Sequence, residues 1–420
     1  MLDVLSIREH FPALKQKHNG MPIIFFDSPG GSQLPKPVID KMAAYLKHGN
    51  ANLGGLYKTS DDTFEQMERT RRAIQLFLNA KSKNEIHFGQ NMTSLTFSFS
   101  RSLANTWQNN DEVIVTDLDH EANISPWELA AKEKDVLLKT WHFNADTYNL
   151  ETEDLEKLLT PKTKLLAITA ASNICGSMPK LKEIIEIAHK NNTQVYVDAT
   201  HFAAHEIIDV KDLDCDYLVC SAYKFCGPHL GIFYGKLELM QKLKPYKINP
   251  ATRENPYCWE TGTQNFEAIA ALEETIYYKM RLLGNKEISR ENLLQSLNAI
   301  KHYELMLKQY FIAQLEGLDG IQIHGVTNAE NAKKRTSTFA LTSTKESVKK
   351  LTQALVDEGF CIGSGHFYVP KFIKRLGLDL DAGILRIGFS YYNTIDELEH
   401  LFETLTRLLD CKTYFHAKAV

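Results

Sequence analysis

Two residues of opposite charge interrupt apolar runs in VYVDATHFAAHEIIDVKDLDCDYLVCSAYKFCGPHLG, residues 195–231. Asp198 closes one run, and Lys224 stands just past the end of the next. Ligands of open α/β sheets bind outside the carboxyl ends of the strands, so both side chains are expected to face one crevice. A lysine desolvated beside a ligand loses its proton easily and attacks carbonyls, while a carboxylate opposite a pyridine nitrogen keeps that nitrogen protonated. Together they describe a pyridoxal 5′-phosphate site, with Lys224 forming the Schiff base and Asp198 making the ring an electron sink. Taken singly, Asp198 also reads as a helix N-cap and Lys224 as a surface-loop cation.

Neighbouring residues extend the same site. Ser221, three before Lys224, and Tyr223 are within reach of a phosphate, and His201, three after Asp198, is placed to bond the cofactor's phenolic oxygen. A phosphate needs the N–H groups of a helix start, and Thr93 and Ser94 stand where an apolar helical stretch begins in HFGQNMTSLTFSFSRSLA; plain N-capping is their alternative. His120, in TDLDHEANISPW, is a flat ring in register to lie over the cofactor, or else a loop histidine. A metal-hydrolase reading of His201 and His205 fails because the motif lacks the glutamate a zincin carries between its histidines.

These side chains need a sheet to hold them. Between about residues 64 and 272, helical and strand signals alternate as a parallel sheet with crossover helices requires. FEQMERTRRAIQLFL puts Phe64, Met67, Ile74, Phe77 and Leu78 at helical spacing, and strand-like runs follow at 111–117, 135–143, 164–171, 193–199 and 216–222. KLKEIIEIAHKNN is an amphipathic helix between two of them. Beyond 272 long helical stretches take over, with RTSTFAL and GILRIGF strand-like between them. The expected architecture is a large cofactor-binding domain over 20–272 and a smaller α+β domain over 273–420, with residues 1–19 packing on the latter. DSPGGSQLPKP (27–37) is a loop with room for a function, and GIFYGKL lacks the spacing and the Ser or Thr of a P-loop.

At 420 residues, 44% hydrophobic and 24% charged, the chain has the composition of a two-domain globular protein. A net charge of −4 supplies no basic footprint for nucleic acid and no polybasic membrane segment. No secretory signal or bilayer-length apolar run is visible, so a cytoplasmic address is expected. The seven cysteines form no C-x-x-C pair, which argues against a disulfide framework or a zinc ribbon.

Assembled, these motifs make the chain resemble the class V aminotransferases, and within them the cysteine desulfurase and selenocysteine lyase branch. DHEANISPW, VDATHFAAH and SAYKFCGPHLGIFYG are similar to three signatures of that branch, in order, and the resemblance runs over nearly the whole chain. It implies a fold type I pyridoxal phosphate enzyme and a homodimer with the active site at its interface. It further implies that Asn173 in AASNICGSMP sits beside cofactor and substrate carboxylate, and that Arg386 in LRIGFSYYNT clamps that carboxylate. Thr263 in WETGTQNFE would complete the partner subunit's phosphate site.

One motif departs. Where the branch carries R-x-G-x-H-C, with a cysteine that takes sulfur as a persulfide, this chain has GSGHFYVP, with Gly363 for the arginine and Tyr368 for the cysteine. A phenol forms no persulfide. The expected activity is therefore desulfurase-like chemistry at the α-carbon of a small amino acid or a cysteine conjugate, most simply as a C–S lyase with Tyr368 as an acid towards the leaving group. An epimerase of the isopenicillin N epimerase kind, a desulfurase using another thiol, and a non-catalytic cofactor-binding module are the alternatives.

Overall fold

The computed structural model describes residues 2–410; Cys411 and the last stretch of the proposed small domain lie outside it. Seven strands form the large sheet: β1 (Ile86–Gly89), β2 (Glu112–Thr116), β3 (Leu137–Trp141), β4 (Thr163–Thr169), β5 (Gln194–Asp198), β6 (Tyr217–Ser221) and β7 (Gly231–Gly235). Their spatial order is β1-β7-β6-β5-β4-β2-β3. From β6 through β3 every pairing is parallel, and only β7 runs against its neighbours β1 and β6.

Apart from the edge strand β3, whose Leu137 is exposed, the strands are largely apolar runs because both faces are buried, and alternate residues feed different cores. Ile114, Leu166, Ile168, Val195, Val197 and Leu218 point to one face, where the helices Lys58–Leu78, Leu181–Lys190 and Phe266–Arg281 pack. Val113, Val115, Leu165, Tyr196, Tyr217 and Phe233 point to the other, under Met92–Ala104 and Ser125–Glu133. In Leu181–Lys190 the buried residues are Leu181, Ile184, Ile185 and Ala188, one helical face. Burying each large aliphatic side chain stabilises by about 1.5–3 kcal/mol, which outweighs the absence of a side-chain N-cap there. In Lys58–Leu78, Met67, Ile74, Phe77 and Leu78 are buried as their spacing predicts, whereas Phe64 is 45% exposed.

A second layer follows: β8 (Ile321–His324), β9 (Thr338–Ser343), β10 (Gly363–Gly365) and β11 (Ile384–Gly388), in the order β8-β9-β11-β10, all antiparallel. Its core joins Phe339, Leu341, Leu385 and Ile387 to the helices Arg290–Glu316, Val348–Asp357 and Ile395–Asp410. The chain start reaches across to this layer, since Ile24–Phe25 pairs in parallel with Phe360–Cys361 and Phe26 lies in the same core. Among the described residues no helix is long and apolar enough to cross a membrane, and no cluster of metal-ligating side chains occurs.

Candidate active site

The carboxyl ends of β4, β5 and β6 open on a cavity of about 220 Å³, roofed by the 363–369 loop and by β11. Asp198, the last residue of β5, is buried, and one of its oxygens accepts from the Thr200 N–H at 2.8 Å. Burial pushes its carboxyl up despite the Thr200 bonds and the attraction of Lys224. Lys224 closes the short helical turn after β6, where its ammonium donates to the carbonyls of Pro29 and, at 3.3 Å, Gly30, and lies 4.9 Å from the Tyr223 ring centre. Burial, aided by the Arg386 charge and opposed by Asp27 and Asp198, lowers it to about 7. A neutral amine is therefore abundant at neutral pH.

His120 follows β2 through a tight turn built on Asp119. That carboxylate is fully buried, held by Thr116 and, at 2.7 Å, by the Asn123 amide, and pushed up by burial to about 8. His120 Nδ1 accepts from the Ala122 N–H at 3.0 Å, which fixes the ring, and burial with the nearby Lys224 and Arg386 charges lowers it to about 4. At neutral pH it is an uncharged flat surface, and the Tyr368 ring lies 5.2 Å from it. His201 is buried, with Nε2 against the Thr336 and Thr338 hydroxyls at 3.0 and 2.9 Å. Its pairing with His205 is a ring contact, and His205 Nδ1 meets Glu304 at 2.7 Å.

Arg386, the middle residue of β11, reaches into the cavity from the second layer. Nη2 donates to Asp27 Oδ1 at 2.9 Å and Nη1 to the Asn173 carbonyl at 3.2 Å, while the guanidinium lies 3.8 Å over the Phe367 ring. The Asn173 amide donates to the Phe367 carbonyl at 3.0 Å. Phe367 and Tyr368 both adopt left-handed backbone, φ 46° and 59°, unusual for aromatic residues and a local strain held by these contacts. Gly363 lies beside the Phe367 ring, where a Cβ would stand 3.4 Å away in ordinary contact.

The aminotransferase class-V profile matches residues 24–401. The chain belongs to the class-V aminotransferase family. It is 30% identical to a cysteine desulfurase of Escherichia coli, over 97% of this chain and 98% of that protein. It is 29% identical to a cysteine desulfurase of Synechococcus elongatus, over 97% of this chain but spanning only 64% of the relative's length. Among solved structures, the apo cysteine desulfurase of Thermococcus onnurineus superposes with a TM-score of 0.87 at 24% identity, covering 98% of each chain. A cysteine desulfurase of Escherichia coli gives 0.83 at 22%, covering 98% and 99%. These likenesses show the fold to be that of fold type I.

As a member of this family the protein is a pyridoxal 5′-phosphate enzyme, and its residues fit the cofactor. His201 Nδ1 and Arg386 Nε are buried without a hydrogen-bond partner among the described residues, and both residues line the cavity. Buried polar atoms are seldom left so unless a ligand meets them. Asp198 needs a counter-charge that a protonated ring nitrogen would supply, Lys224 offers the amine, and Thr93, in the first turn of Met92–Ala104, faces the cavity.

The structure gathers Thr93, His120, Asn173, Asp198, His201, Tyr223, Lys224, Tyr368 and Arg386 around one cavity. Ser221 lies just behind it, its hydroxyl accepting from the Met92 N–H at 3.0 Å, so that it steadies the helix start. Ser94 and Thr263 line a separate groove of about 710 Å³ in this class-V chain, and Ser94 is tied to its N-cap Asn91 at 2.9 Å. The sequence reading had no role for Asp27 or Phe367. Asp27 stands in the conspicuous DSPGG turn, but nothing local indicates its partner.

Proposed function

We propose that this enzyme cleaves the C–S bond of L-cysteine or an S-substituted cysteine by β-elimination, working as a homodimer in the cytoplasm. The observation that carries the reading is the roof of the site: Tyr368 lies over His120, and among the described residues no cysteine lines the cavity. Bound pyridoxal phosphate supplies an electron sink for a carbanion at the substrate α-carbon. Asp198 would hold the bound ring's nitrogen in its protonated form, and neutral His120 offers a flat surface for the ring. Arg386 and Asn173 hold the α-carboxylate, turning the α-C–H towards Lys224, whose neutral Nζ takes the proton. The Phe367 ring backs the Arg386 guanidinium, and the Tyr368 hydroxyl gives a proton to the departing sulfur.

A second reading, cysteine desulfuration through another thiol, draws on the names of the relatives. Half-buried Cys361 is pushed up by burial and by the nearby Asp27 charge, and so is a weak nucleophile. Cys226 is buried and packs against the Tyr391 hydroxyl. The test is product analysis with L-cysteine and S-ethyl-L-cysteine. Pyruvate and ammonia in amounts equal to the hydrogen sulfide from L-cysteine or the ethanethiol from S-ethyl-L-cysteine are expected, with Tyr368→Phe lowering kcat roughly 10²-fold at little change in KM. Alanine as the product would establish desulfuration, and a racemised substrate an epimerase.

A further inference from the structure

The ion pair between Arg386 and Asp27 is lopsided. The arginine side chain is 5% exposed and the aspartate 45%, so one partner is fixed in the protein and the other already stands half in water. Asp27 also serves the guanidinium poorly: it meets Nη2 at 2.9 Å, while Nε, the other donor on that edge, is buried and has no partner among the described residues. A bidentate carboxylate satisfies both donors of such an edge. The guanidinium needs no help from Asp27 to stay in place, since the Asn173 carbonyl holds Nη1 at 3.2 Å and the Phe367 ring supports its face.

The turn that presents Asp27 is itself fitted to the contact. Gly30 and Gly31 donate their N–H groups to the Asp27 carbonyl at 2.9 and 3.2 Å, and the Asp27 side chain folds over Gly30, where a Cβ would lie 2.3 Å from Oδ2. The neighbouring carbonyls of Pro29 and Gly30 meanwhile hold the Lys224 ammonium. One turn thus occupies both the carboxylate clamp and the amine.

We propose that Asp27 is an internal competitor for the Arg386 clamp: the carboxylate of an incoming amino acid takes Nη2 and Nε together, and the Asp27 carboxylate moves out into water. Its half-exposed position makes the exit cheap, because the charge is rehydrated as it leaves. The resting clamp keeps its counter-charge, and only a ligand able to fill both donors displaces it. The inference rests on the assignment of Arg386 as the carboxylate clamp.

Calorimetric titration of the cofactor-loaded protein with propionate, and with propionamide as the uncharged control, tests both levels. Asp27→Asn removes the competing charge. Gly30→Ala, at a position without left-handed backbone, pushes the carboxylate aside sterically and serves if the first variant folds poorly. Each is expected to bind propionate about tenfold more tightly than the parent, with propionamide unaffected. Unchanged or weaker propionate binding in a folded variant would overturn the competitor role while leaving the clamp intact. Arg386→Ala is expected to lose propionate binding, and if it binds as the parent does, the clamp assignment itself fails.

Discussion

Lys224 is the residue whose environment most directly sets a measurable property. Burial first, and the Arg386 charge second, bring its ammonium from 10.5 to about 7, so the reactive neutral amine falls away only below that pH. Uptake of pyridoxal phosphate by the apo-protein, followed by visible absorbance, should therefore rise with a midpoint near pH 7 and level off above it. Arg386→Ala removes a repelling cation and frees Asp27, both of which favour the ammonium, so the midpoint should move to higher pH. A midpoint unchanged by that substitution would mean that desolvation alone sets the value. Lys224 and Asp198 were legible because each terminates an apolar run, where strand ends meet ligands. The Asp27–Arg386 pair was not, since its partners stand 359 residues apart and meet only when the second layer docks on the turn.

At the scale of elements, the runs of β2, β4, β5 and β6 emerged from composition because a doubly buried parallel strand is an uninterrupted apolar run, whereas β3 lies at the sheet edge with Leu137 exposed. β1 and β7 escaped the same logic. β7 is three apolar residues between glycines, and those glycines answer to packing: a Cβ at Gly231 would stand 2.5 Å from the Asn91 backbone, and at Gly235 2.5 Å from Met240 Sδ. Such close approaches are visible only once the neighbours are in place. The segment between β4 and the helix Leu181–Lys190, which docks on the second layer, depends on another. Gly176 has φ 76° and no room for a Cβ, which would lie 2.5 Å from the Thr338 carbonyl, and its carbonyl accepts from Thr336 at 2.9 Å. Gly176→Ala combines left-handed strain with overpacking and should cost about 1–3 kcal/mol in urea unfolding. Because Asn173 rides on the same segment, KM for amino acids should rise more than kcat falls. A stability loss with unchanged KM would show that Asn173 is positioned by its bond to Phe367 instead.

For the whole molecule, the proposed division into 20–272 and 273–420 leaves the cavity between the two layers, with Lys224 and Asp198 from one and Arg386 and Tyr368 from the other. The groove holding Thr263 extends this to a third contributor. It shares walls with the cavity: Thr93 faces one and Ser94 the other, and the Tyr223 ring in the cavity stacks on His229 in the groove at 4.9 Å and 14°. In the homodimer proposed here a second copy fills this groove and places its Thr263 by the cofactor phosphate. Sedimentation should then give twice the chain mass of 47.8 kDa. A hydrogen bond to a charged group contributes about 1.5–3 kcal/mol, so Thr263→Ala should weaken cofactor retention by roughly tenfold or more while the dimer persists. Unaltered retention would leave the phosphate to the chain's own helix start at Thr93, and a monomer would remove the route by which Thr263 of the partner subunit reaches the site at all.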